Sequence, residues 1–110
     1  MGALQECLCY GFAVKCARVR ATEIPVLELE NGDPATLSKI EEVIRRAIDE
    51  DQAEAIVLGC AGMADLMKRF SDKFGLPVID GIACATTFAE ALAATGLRTS
   101  KIGGYAPPLR

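Results

Sequence analysis

The residue with the clearest chemical potential is Cys60, in the stretch Ala55-Ile56-Val57-Leu58-Gly59-Cys60-Ala61-Gly62-Met63-Ala64-Asp65-Leu66. A thiol at a strand-to-helix turn lies at the positive end of the helix dipole, which favours the thiolate. A thiolate there could act as a reactive group or as an acid/base. The competing reading is a packed thiol, since cysteine is also a small hydrophobe. No histidine occurs. That excludes Cys-His dyads, Ser-His-Asp triads and histidine-based zinc sites within this chain, leaving acid–base work to Cys, Asp, Glu, Lys and Tyr. Cys7-x-Cys9 lacks the usual spacing of a metal pair, and no CxxC complements it. No metal and no cofactor are expected.

The elements that must hold Cys60 follow from patterning. Ala55–Leu58 is a continuous apolar run, expected as a strand covered on both faces of a parallel sheet. Met63, Leu66, Met67, Phe70 and Phe74 form the apolar stripe of a helix that Gly75 ends. Leu76–Ile79 is a second short strand, with Asp80-Gly81 turning the chain. A last long helix runs from Ile82 to about Thr95, with Ala85, Phe88, Ala89 and Leu92 facing inward and Gly96 as its cap. Cys84, in its first turn, is expected to be packed.

Upstream, residues 3 to about 13 read as a helix with no strand before it, as if cut from something longer. Cys16–Ala21 alternates as an edge strand with Arg18 and Arg20 on one face. Thr22–Leu29 continues extended, Pro25 excluding a central strand. Asn31-Gly32-Asp33-Pro34 signals a turn, an N-cap and a first helical residue. The helix from Pro34 to about Asp51 buries Leu37, Ile40, Ile44, Ala47 and Ile48. Glu41 with Arg45, and Glu42 with Arg46, are its expected surface pairs. Strands alternating with helices predict an α/β domain over 1–110: a three-layer lobe with a small, mainly parallel sheet of three to four strands.

Composition narrows the function classes. The 110 residues carry 12 basic and 15 acidic side chains, a net charge of −3. With no basic block, nucleic-acid binding has no support. No apolar run approaches the length of a membrane span. The first residues lack a secretory signal, and Glu6 breaks a myristoylation pattern. Five cysteines, an odd count, fit reduced thiols and a cytoplasmic location better than a disulfide framework.

Val57-Leu58-Gly59-Cys60-Ala61-Gly62-Met63 resembles the aspartate/glutamate/hydantoin racemase superfamily. Cys16–Leu27, Leu76-Pro77-Val78-Ile79-Asp80-Gly81 and Thr99-Ser100-Lys101-x-Gly103-x-Tyr105-Ala106-x-Pro108 match it in order and spacing. Ala61-Gly62 after the cysteine resembles the hydantoin and allantoin branch, where other branches place Thr and then His or Glu. The resemblance implies a cofactor-independent racemase acting on a cyclic ureide or amino-acid derivative. Cys60 would be one of two thiol acid/bases. Gly59, Ala61 and Gly62 would bind substrate, the N–H groups of Ala61 and Gly62 lining the carbonyl pocket.

Family members are about twice as long, with two similar lobes around a cleft, and the first catalytic cysteine belongs to the other lobe. The chain is therefore expected to be the C-terminal lobe and to form a homo-oligomer. The alternatives are a catalytically incomplete lobe that only self-associates, or a related decarboxylase or isomerase of the superfamily.

Overall fold

The computed structural model describes residues 9–59 and 65–109. In chain order the elements are α1 (Val26–Glu30), α2 (Pro34–Asp51), β1 (Ile56–Leu58), α3 (Leu66–Phe74), β2 (Val78–Asp80) and α4 (Gly81–Ala94). Short 3-10 turns at Ala13–Lys15 and Gly103–Tyr105 complete the set. β1 and β2 are parallel, with Ile56 opposite Val78, Val57 opposite Ile79 and Leu58 opposite Asp80. The architecture is α/β with a small parallel sheet and flanking helices, as expected. Among the described residues the sheet has two strands rather than three or four.

The core forms where α2 and α3 meet one face of this sheet. Ile40, Ile44, Phe70, Leu58 and Val78 are buried there, joined by Leu29 and Leu37. Phe70 is 0 % exposed. Ile48, Leu66, Met67 and Phe74 pack around this centre. The apolar spacing in α2 and α3 therefore reports a real buried stripe. Met63, the first residue of the expected α3 stripe, lies outside the described residues.

Helix ends explain the loop geometry. α2 stops at Gln52, which adopts a left-handed φ of 53°, and the Ala53 N–H donates back to the Ala47 carbonyl at 3.1 Å. Gly75 takes φ 69° after α3, where a side chain would be strained. Ser71 Oγ then donates to the Leu76 carbonyl at 2.9 Å, steering the chain into β2. Asp33 stands at the N-cap of α2 as expected, but its side chain makes no capping hydrogen bond. Nothing in the structure explains that.

Several expectations require correction. Cys16–Ala21 joins no β-ladder among the described residues. Instead, Arg20 reaches the C-terminal end of α2. Its Nε donates to Asp51 Oδ2 at 2.5 Å, and its Nη2 donates to Asp51 Oδ1 at 2.9 Å and Glu50 Oε2 at 2.7 Å. Arg18 adds a contact to Asp51 at 3.5 Å. The physical cause is legible: acidic side chains at the negative end of a helix need cations. Residues 26–30 form α1 rather than continuing extended. The expected helix over 3–13 falls mostly outside the described residues, and Ala13–Lys15 is a single 3-10 turn.

The surface pairs also differ. Glu41 binds Lys73 Nζ at 2.5 Å and Arg69 at 3.8 Å, bridging α2 to α3. Arg46 pairs with Glu50 at 2.9 Å instead of with Glu42. Glu41 takes tertiary partners because α3 brings cations to α2 across the shared core, whereas Arg46 takes its other i, i+4 neighbour.

Phe70→Ala removes the only side chain at full burial among the described residues. Its expected cost is about 3–5 kcal/mol, read as a lower urea midpoint, with Phe70→Leu losing less. Hydrogen bonds from Arg20 hold the Asp51 carboxyl below its ordinary value of 3.8. Hydrogen bonds from Arg46 and then Arg20 do the same for Glu50, below 4.5. Depressed carboxylates stabilise the fold above their unfolded values, and that contribution disappears as pH falls through the folded ones. Urea midpoints are therefore expected to drop below about pH 4. Arg20→Met should be less stable than the wild type at neutral pH, with the gap closing in acid.

Candidate active site at the carboxyl edge of the sheet

Because β1 and β2 run parallel in register, both strands end at one edge, with Leu58 beside Asp80. Gly59 leaves β1 at that edge and is exposed. A Cβ added at Gly59 would meet nothing within 4 Å. That holds among the described residues. Cys60, Ala61 and Gly62 lie outside the described residues, as does Cys7. Gly59 is the one expected site residue that the structure describes.

Asp80 is the functional-edge residue whose role composition alone does not reveal. Its side chain is buried, and its carboxylate accepts the Ile82 N–H at 2.9 Å and the Ala83 N–H at 3.4 Å. Asp80 therefore caps α4 and occupies its first free amides. The signal was available: an acidic residue directly before a long helical pattern is an N-cap. The sequence Gly59-Cys60-Ala61-Gly62-Met63-Ala64 carries no carboxylate. Asp65, at the N-cap of α3, makes no side-chain capping hydrogen bond. The two helices that start at this edge thus differ: one has its amides filled by an internal carboxylate, and the other is not capped by Asp65.

Beside this edge an open groove of about 350 Å³ runs between α3 and α4. Met67, Ile79, Asp80, Cys84, Thr87 and Phe88 line it. Cys84 is exposed rather than packed, because the groove it lines is open to solvent. Cys9 is exposed and Cys16 half-buried. No group of three or more His, Cys, Asp or Glu side chains is gathered as a metal site among the described residues.

Residues 3–89 match the family model described as Asp/Glu/Hydantoin racemase. The chain belongs to the Asp/Glu/hydantoin racemase family. The hydantoin racemase of Rhizobium meliloti is 46% identical over 99 residues, an overlap covering 90% of this chain and 41% of that protein. Allantoin racemase from Klebsiella pneumoniae superposes with a TM-score of 0.87 at 42% identity, covering 96% of this chain and 43% of that one. Allantoin racemase from Pseudomonas fluorescens gives 0.82 at 44% identity, covering 96% and 45%. The chain thus spans about two-fifths of the length of these racemases. No described helix is long and apolar enough to cross a membrane.

Asp80→Ala is expected to cost about 0.5–2 kcal/mol through loss of the α4 cap. Thermal denaturation should show the loss, and Asp80→Asn or Asp80→Ser should recover most of it.

Proposed function

We propose that this chain is the C-terminal lobe of a longer two-lobe, cofactor-independent racemase of the hydantoin or allantoin type. The observation that supports the reading is the family match over residues 3–89, with Gly59 exposed at the carboxyl edge of a parallel sheet. That edge is where open α/β sheets bind ligands. Relatives named for hydantoin and allantoin suggest a cyclic ureide as substrate.

In this reading the Cys60 thiolate accepts the proton on the carbon beside the carbonyl. The C–H electron pair moves into the ring carbonyl, giving an enolate. The N–H groups of Ala61 and Gly62 donate to that oxygen, and Gly59 leaves room for the ring. An acid from the opposite face then protonates the carbon and inverts it. In the reverse direction Cys60 serves as the acid. The opposing acid belongs to the other lobe, and Cys60 supplies one face only. The reduced thiols fit a cytoplasmic setting.

The test uses two readouts on wild type and Cys60→Ser. Exchange of the ring-carbon hydrogen of a 5-substituted hydantoin or of allantoin into deuterated water needs only one acid/base. Change in optical rotation needs both faces. Wild type should support exchange, and Cys60→Ser should lower it about 100-fold or more. Equal rates in the two proteins would remove the catalytic role of Cys60.

A further inference from the structure

We propose that Asp80 is a positioning residue for the thiol of Cys60: its buried charge opposes full ionisation of that thiol, so that thiol and thiolate coexist near neutral pH. Three observations carry it.

The first is place. Asp80 ends β2 and stands opposite Leu58, the last residue of β1. Neighbouring strands lie about 4.8 Å apart. Cys60 follows Leu58 by two positions in the sequence, and that length of chain reaches at most about 7 Å. Connectivity alone therefore keeps the Cα atoms of Cys60 and Asp80 within about 12 Å of each other.

The second is the environment of the carboxylate. Asp80 is 6% exposed. One of its oxygens accepts the Ile82 N–H at 2.9 Å and the other accepts the Ala83 N–H at 3.4 Å. These amides bring only the partial charge of a helix start, roughly half an elementary charge, so a net negative charge remains. A charge withdrawn from water is screened less than one on the surface.

The third is the lack of a competing charge. β2 packs against β1, α3 and α4. β1 has no titratable residue. On α3, Lys68 pairs with Asp72 at 2.7 Å, and Arg69 and Lys73 pair with Glu41. Asp65 at the N-cap of α3 is exposed, as are Cys84 and Glu90 on α4. Asp80 itself enters no ion pair among the described residues. It is also the one buried carboxylate among them.

The chemistry supplies the reason. The inference rests on the racemase reading, in which Cys60 takes a proton in one direction and returns it in the other. A group that does both works best with a pKa near the operating pH. Amide donors such as those of Ala61 and Gly62 favour the thiolate and draw its pKa down. A thiolate held too firmly is a weak base and has no proton to return. A neighbouring negative charge acts in the opposite sense. Over about 8–12 Å, with the effective dielectric of a protein edge, it raises the pKa by about half a unit to one unit.

Alkylation by iodoacetamide reports the thiolate fraction. Its rate at the Cys60 peptide of the intact chain, followed by mass spectrometry across pH, tests the proposal. The wild-type midpoint is expected at about 8. Asp80→Asn and Asp80→Ser keep a cap for α4 without the charge. Both should lower the midpoint by about half a unit to one unit, with the midpoint of the exposed Cys9 unchanged. A purely structural cap would leave Cys60 unmoved in both variants. An unmoved or raised midpoint in both, or an equal shift at Cys9, would overturn the proposal. So would a wild-type midpoint below about 6, a measurement that needs neither variant to fold. Alkylation requires no turnover, so a failure of the racemase reading appears in hydrogen exchange and a failure of this inference appears here.

Discussion

The fold depends on the insertion of Phe70 between α2 and the β1–β2 pair. Its burial is complete, and Ile40, Ile44, Leu58 and Val78 close around it. A two-stranded sheet of three-residue strands has too little surface to stand alone in water. It persists because α3 brings one aromatic ring against one face of the strands, with α2 packed around the same ring on that face. Everything at the carboxyl edge, including the direction in which Gly59 leaves the sheet, inherits its position from this contact.

Charge is arranged around that centre rather than within it. Glu41 ties α2 to α3 through Lys73 and Arg69 at the rim of the core. At the far end of α2, Arg20 bridges Glu50 and Asp51, with Arg46 and Arg18 beside them. The Arg20 and Asp51 side chains are 13% and 8% exposed, so this contact feels less water than an ordinary surface pair. It fastens an extended segment that has no ladder among the described residues. In effect a guanidinium fork does there what backbone hydrogen bonds would do in a paired strand.

The carboxyl edge separates two kinds of helix start. Asp80 fills the amides of α4 with a carboxylate from its own chain. The residues that follow β1 in the sequence, Gly59-Cys60-Ala61-Gly62-Met63-Ala64, carry no carboxylate. Small residues are what the proposed site needs if a flat ring is to lie against backbone donors. Family membership and fold both relate the chain to racemases more than twice its length.

Local features were legible in the residues because they depend on near neighbours. The bounds of α2, the left-handed Gly75, the parallel pairing of β1 with β2 and the apolar side of α3 all follow from spacing and turn chemistry. The family, too, was readable in Val57–Met63 and three companion motifs. Other features depended on what lies opposite in space. Arg20 reaches Asp51 across 31 positions, and Glu41 prefers Lys73 to Arg45. Cys84 and the stripe of α4 read as core yet stand in solvent. An apolar periodicity records which side of a helix avoids water, but says nothing of which surface covers it. The covering surface is a property of the assembled molecule, and only the tertiary structure showed that α2 and α3 cover one face of the sheet and leave Val57 bare on the other.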